Sequence, residues 1–141
     1  MNHSMQTPPR GFHVDFPAGF TVVIGGSGGV GKAACLRLAE CGCDIALSYR
    51  SRAAQAEEVA GQVRALGRRA LVRKLDLTDP QDTLAFYEAS AAELGRLHTV
   101  VVATGADIRM SYVADVDAQE WKRTIDNDLV GFFNAVKFAL P

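Results

Sequence analysis

The chain has 141 residues, 48% of them hydrophobic and 22% charged, which is enough for one domain with a real core. A net charge of -1, with the arginines scattered, argues against a nucleic-acid-binding surface. No apolar stretch reaches the roughly 18 residues of a membrane span, and the first ten residues lack the basic start and apolar middle of a signal peptide.

Residues 1–18 read as a flexible N-terminal tail and lead-in, polar and carrying Pro8-Pro9. Residues 19–141 form the domain. Its first strand, residues 20–24, runs into five glycines within residues 25–31. Such a loop turns tightly and brings backbone N–H groups close to a ligand. The helix that follows adds unpaired N–H donors and the positive end of its dipole. Together they make a seat for a phosphate. Two patterns fit. One is a dinucleotide fingerprint, Gly25-x-x-x-Gly29-x-Gly31. The other is a P-loop, Gly26-x-x-x-x-Gly31-Lys32. A P-loop next requires a hydroxyl to hold magnesium, and this chain has Ala33.

The first helix carries Val30, Ala34, Leu38 and Cys41 at the spacing of one buried face, and Gly42 ends it. The three cysteines, Cys35, Cys41 and Cys43, are odd in number and lack a zinc spacing. They read as reduced thiols of a cytoplasmic protein, and no metal site is expected. The second strand, residues 44–48, is apolar through Ile45-Ala46-Leu47, as suits a parallel strand covered on both faces. A second helix follows with Ala56, Val59, Ala60, Val63 and Leu66 on one side, ended by Gly67. The third strand is residues 70–75. Asp79 caps the third helix, with Pro80 at its first position. Its expected buried face is Leu84, Tyr87, Ala91 and Leu94. The fourth strand is residues 97–103. A loop over residues 104–116 follows, and residues 107–116 are expected to line part of a pocket. The last helix opens at Asp117, with Glu120 in a capping-box position. Its apolar stripe is Trp121, Ile125, Leu129, Phe132, Val136 and Leu140.

The order is therefore β-α-β-α-β-α-β-α. It predicts an α/β fold, a Rossmann-like doubly wound parallel sheet with right-handed crossovers. The glycine loop ends the first strand, where ligands bind in such sheets, and this context favours the dinucleotide pattern. The second strand of such a fold ends beside the adenosine ribose. An acid there binds the 2′-OH of NAD, whereas an arginine accommodates the 2′-phosphate of NADP. Here the chain reads Ser48-Tyr49-Arg50-Ser51-Arg52, with no carboxylate. NADP is therefore favoured over NAD, with Arg50 as first contact and Ser51 or Arg52 assisting. The competing reading makes Arg50 and Arg52 solvated loop charges. Asp76 likewise has two readings: an acceptor for the adenine amino group, or a turn residue before the third helix.

These pieces together resemble the short-chain dehydrogenase/reductase family, classical type, over nearly all of residues 20–141. The resemblance rests on residues 24–33 (IGGSGGVGKA), on ALSYRS at the second strand, on Asp76-Leu77, and on residues 125–134 (IDNDLVGFFN). It implies an NAD(P)-dependent oxidoreductase that moves hydride between nicotinamide and a carbonyl or alcohol. The family's glycine-loop contacts would fall on Gly25, Ser27, Gly28, Val30 and Gly31, and its adenine contacts on Asp76 and Leu77. Three positions depart from the family pattern. Ile24 stands where threonine is usual. The family's Asn-Asn-Ala-Gly reads Val102-Ala103-Thr104-Gly105, leaving Ala103 and Gly105 as cofactor contacts at the end of the fourth strand. The catalytic asparagine aligns with Asp128, which would hold a water linking the catalytic lysine to solvent. Asp128 falls at the edge of the predicted stripe, so its carboxylate must be paired, hydrated or protonated. The competing reading is a surface aspartate on a slightly rotated helix.

The family's proton-transfer pair is Tyr-x-x-x-Lys. Tyr49, Tyr87 and Tyr112 are followed four residues on by Ala53, Ala91 and Val116, so the pair is not in this sequence. The chain thus looks like the N-terminal half of such an enzyme, expected to be inactive alone, with a homo-oligomer expected through the last helix. The alternatives are a non-catalytic nucleotide-binding or regulatory module and, less favoured, a P-loop nucleotidase.

Overall fold

The computed structural model describes residues 14–105 and 111–140. Four parallel strands form one sheet: β1 (Phe20–Ile24), β2 (Asp44–Tyr49), β3 (Ala70–Lys74) and β4 (Leu97–Val102). Their spatial order is β3-β2-β1-β4. The chain first winds one way from β1, then returns across it to place β4 on the other side. The C-terminal ends of β1 and β4 therefore flank a topological switch point, the usual ligand crevice of such sheets.

Period-two alternation divides the core. Val23, Ile45 and Leu47 face one side, where they pack with helices α1 (Gly29–Glu40) and α2 (Ala53–Ala65) through Cys35, Ala39, Ala56, Val59 and Val63. Phe20, Val22, Ile24 and Ala46 face the other, against α3 (Pro80–Leu94) and α5 (Gly131–Lys137) through Phe86, Tyr87, Leu94 and Ala135. Every residue of β1 is buried, as the central strand of a doubly covered sheet should be. Asp79 accepts from the Gln81 N–H at 2.8 Å, with Pro80 in the first turn, so α3 starts as its sequence implies.

The helix faces depart from the expected ones. On α1 the buried residues are Gly31, Cys35 and Ala39, and Val30 is 75% exposed. Small residues let α1 approach the sheet closely, and they shift the face by one position. On α3, Thr83, Phe86 and Ser90 join Tyr87 and Leu94 inside, while Ala91 is exposed. Their hydroxyls donate to the Asp79 and Phe86 carbonyls, which makes burial cheap. Leu66 stands beyond the end of α2 and is exposed.

The last helix is three pieces. α4 (Ala118–Ile125) is capped by Asp117, which accepts from the Gln119 and Glu120 N–H groups at 2.9 and 2.8 Å. A π-helical turn, Asp126–Val130, follows and leads into α5. The predicted stripe does not face the core. Trp121, Leu129, Phe132, Val136 and Leu140 are exposed, and Gly131, Asn134 and Ala135 are buried instead. Two buried hydrogen bonds dock α5. Asn134 Nδ2 donates to the Leu77 carbonyl at 2.9 Å, and the Tyr87 hydroxyl donates to the Ala135 carbonyl at 2.8 Å. Burial pushes the Tyr87 phenol well above its usual range, so it stays a donor. Replacing Tyr87 with phenylalanine leaves that buried carbonyl unpaired. The expected loss is about 1–2 kcal/mol of stability, read as a lower urea midpoint with an unchanged slope.

The tail was expected over residues 1–18, of which residues 1–13 lie outside the described residues. Within the rest, Phe16 packs against the His98 ring at 5.6 Å between centroids. Of the predicted pocket loop, residues 107–110 also lie outside the described residues.

Candidate cofactor cleft

The crevice at the switch point is a cavity of about 420 Å³. Its floor is the glycine loop. Gly25 has φ +80°, open to glycine at little cost, and a side chain there would meet the Ala103 carbonyl oxygen at 2.7 Å. The Gly25 N–H donates to Ser48 Oγ at 3.3 Å, and the Gly26 N–H donates to the Ser48 carbonyl at 2.9 Å. Ser48, buried at the end of β2, thus clamps two successive loop residues. The Gly28 N–H closes the turn onto the Gly25 carbonyl at 3.1 Å. Ser27, Gly28 and Val30 line the cavity. Gly31 does not line it. It stands behind the loop, where an added Cβ would lie 2.2 Å from the Gly25 oxygen. The absence of a side chain at Gly31 sets how closely α1 approaches β1.

α1 begins at this floor with Gly28 as its N-cap and no side-chain cap. The first-turn N–H groups of a helix have no intrahelical partners, so here they are presented to the cavity together with the dipole's positive end. The fit to a dinucleotide phosphate is good: a glycine-rich cradle at the uncapped start of a helix. The P-loop pattern fits poorly. Lys32 is absent from the cavity lining, and its Nζ donates to Glu58 Oε1 at 3.1 Å on α2.

The second wall follows β2. Arg50, Ser51 and Arg52 line the cavity, and Arg52 is the N-cap of α2, which has neither a side-chain cap nor an acidic residue in its first turn. This wall is cationic and carries no carboxylate. The third wall is Asp76 and Leu77. Asp76 Oδ1 accepts from the Thr78 N–H at 3.0 Å and the Thr78 hydroxyl at 2.7 Å. Those bonds, aided by the nearby charges of Arg50 and Lys74, hold the Asp76 carboxyl below its usual range. Asp76 thus takes part in the turn before α3, and it also lines the cavity as an acceptor. Leu77 is largely buried and braces the wall against Gly131.

The fourth wall comes from the end of β4. The Ala103 N–H donates to the Ile24 carbonyl at 2.8 Å, extending the strand pairing past β4, and Ala103 and Gly105 line the cavity. The last wall is the π-helical turn, which contributes Asn127 and Asp128. Asp128 is exposed there, and Asn127 is half-buried. Ser48, Thr104 and Asn127 also line this cavity, and the sequence reading passed over them as site residues. Ser48 had a signal, being the one hydroxyl in an apolar strand run. Asn127 had none, because its orientation depends on the π turn. Among the described residues no group of three His, Cys, Asp or Glu side chains is placed to hold a metal ion, and no helix is long and apolar enough to cross a membrane.

Comparison with known proteins agrees with this architecture. The family model described as short chain dehydrogenase matches residues 20–141. A 3-oxoacyl-[acyl-carrier-protein] reductase of Aggregatibacter actinomycetemcomitans is 35% identical over 115 residues, covering 82% of this chain and 47% of that protein. An L-rhamnose 1-dehydrogenase (NADP(+)) of Thermoplasma acidophilum is 35% identical over 88 residues, 62% of this chain and 35% of the relative. Among solved structures, acetoin dehydrogenase from Enterobacter cloacae superposes with a TM-score of 0.80 at 31% identity, over 87% of this chain and 48% of the other. The chain spans about half the length of the curated relatives it matches. With its parallel sheet, its glycine loop at the switch point and a family match over residues 20–141, the chain belongs to the short-chain dehydrogenase family.

Proposed function

We propose that this chain is the cofactor-binding part of an NADP(H)-dependent short-chain oxidoreductase acting on a carbonyl or alcohol substrate. One observation carries the cofactor choice: the wall after β2 is Arg50, Ser51 and Arg52, with no carboxylate there to receive a ribose 2′-OH. A dianionic 2′-phosphate gains from the guanidinium fork and from the uncapped start of α2. The printed names of the relatives, a reductase and several dehydrogenases, support the reaction class, and one of those names carries NADP(+).

In this reading Gly25, Ser27, Gly28 and Val30 receive the pyrophosphate, and Gly31 and Ser48 keep that floor in shape. Asp76 accepts from the adenine amino group, Leu77 packs against the ring, and Ala103 and Gly105 bring backbone up to the sugar. When bound, the nicotinamide supplies the hydride donor or acceptor. Asp128, exposed at the cavity rim, is given the water-holding role of the family asparagine. In a form of the protein that turns over, Asp128→Ala is expected to lower kcat with the NADPH KM unchanged. A raised KM with unchanged kcat would place Asp128 in binding instead.

The exposed apolar residues of the last helical run, among them Phe132 and Phe133 at 51% and 58%, are assigned to contact with a second copy of the chain. Sedimentation equilibrium tests this, and a concentration-independent monomer would contradict it. All three cysteines are free, which suits a reducing, cytoplasmic setting. The cofactor reading is tested by titrating the chain with NADPH and NADH. It requires clearly tighter binding of NADPH, and equal affinities or a preference for NADH would refute it.

A further inference from the structure

The guanidinium of Arg50 meets the π-helical turn on another wall of the cleft. Arg50 follows β2 directly, yet its Nη1 donates to Asn127 Oδ1 at 3.5 Å, a long bond between residues 77 apart in sequence. Arg50 is also near enough to Asp76 for its charge to act on that carboxyl. The arginine therefore spans from the β3 side of the cavity to the π-helical turn Asp126–Val130. Both of its cross-cavity neighbours line the same space.

An exposed arginine after a strand has many rotamers, and fixing one costs side-chain entropy. A partner that holds the guanidinium before ligand arrives removes part of that cost from binding. The chemistry of Asn127 suits this task. Its carbonyl oxygen accepts from the guanidinium but carries no charge, so Arg50 is oriented without being neutralised. A carboxylate at the same position would orient Arg50 more strongly. It would also cancel the charge a phosphate needs and would repel that phosphate. Of the two carboxylates in the turn, Asp126 is engaged by Lys122 Nζ one helical turn earlier, and Asp128 is exposed beside the cavity, with neither hydrogen-bonded to Arg50 among the described residues.

We propose that Asn127 is a positioning residue for Arg50 and thereby a determinant of NADPH over NADH selectivity. This rests on the NADP reading above. The π turn is what delivers Asn127 to the cavity. It adds a residue to the turn and leaves Asn127 half-buried at the cleft while residues 128–130 are exposed.

The test is a set of NADPH and NADH titrations on the 141-residue chain, with wild type, Asn127→Ala, Asn127→Asp, Arg50→Ala and the double variant Arg50→Ala/Asn127→Ala. Asn127→Asp is expected to weaken NADPH binding about tenfold or more and NADH by less than about threefold. Asn127→Ala should cost about threefold for NADPH in the wild-type background and nothing further once Arg50 is alanine. Thermal midpoints of the single variants should stay together. Wild-type preference for NADPH that survives unchanged in Asn127→Asp overturns the positioning role alone. A parallel loss for both cofactors, or an Asn127→Ala cost that persists without Arg50, overturns it too, since Asn127 then acts directly or structurally. A wild-type chain that binds both cofactors equally overturns the NADP reading, and the positioning role falls with it.

Discussion

Arg50→Asp is expected to weaken NADPH binding by about 100-fold while NADH affinity stays level or rises. The arginine lines the cavity directly after β2, and it donates a hydrogen bond to the neutral Asn127. A charge-assisted hydrogen bond to a phosphate is worth about 1.5–3 kcal/mol, and each 1.4 kcal/mol is tenfold in affinity. Removing the guanidinium therefore costs about one to two decades. The new carboxylate adds repulsion against the 2′-phosphate and offers an acceptor to a 2′-OH. Fluorescence titration with both cofactors reads the effect. Equal losses for NADPH and NADH would place Arg50 in general folding, not in phosphate recognition.

Gly31→Ala is expected to abolish binding of both cofactors and to destabilise the chain by about 1–3 kcal/mol. The new methyl would lie 2.2 Å from the Gly25 oxygen and 2.9 Å from the Gly26 Cα, and both neighbours are backbone. Either α1 moves away from β1 or the floor of the cleft changes shape. Gly61→Ala is the control, because Gly61 lies within α2 with nothing within 4 Å of an added Cβ. It should raise stability by about 0.5–1 kcal/mol through helix propensity and leave binding untouched. Urea unfolding and NADPH titration of the two variants separate close approach from simple glycine content. Normal binding by Gly31→Ala would mean that the loop tolerates displacement and that its shape is not what holds the phosphate.

The central strands β1 and β2 were legible because buried parallel strands are written as apolar runs, and the partly buried β3 and β4 still carry shorter ones, Ala70-Leu71-Val72 and Val100-Val101-Val102. β1 (Phe20–Ile24) matches its run, and the others differ by one residue at an end. The cleft was legible for a related reason. A loop that must bring backbone to a phosphate excludes side chains, and the end of β2 declares its charge openly in Arg50 and Arg52. Helix faces were harder to read. Periodicity finds the most apolar stripe, not the one the sheet needs. On α1 and α5 the sheet needs small residues, so Gly31, Ala39, Gly131 and Ala135 turn inward. The larger stripe of Phe132, Val136 and Leu140 is left facing outward. Thr83, Ser90 and Asn134 are buried because each hydrogen-bonds a backbone carbonyl, which a hydrophobicity count does not register. The π turn is invisible for a different reason. Its extra residue alters which side chains face the cleft without changing composition, so Asn127 could not be separated from Asp126 and Asp128 by pattern alone.

In the proposed reading this cleft holds an adenosine carrying a 2′-phosphate. The most direct measurement is isothermal titration of the chain with adenosine 2′,5′-bisphosphate and with 5′-AMP, fragments that differ only in that phosphate. Binding of the bisphosphate about tenfold or more tighter than 5′-AMP, with the difference shrinking as salt rises, is the predicted result. Equal binding of the two fragments would contradict it and return Arg50 to a solvated loop charge.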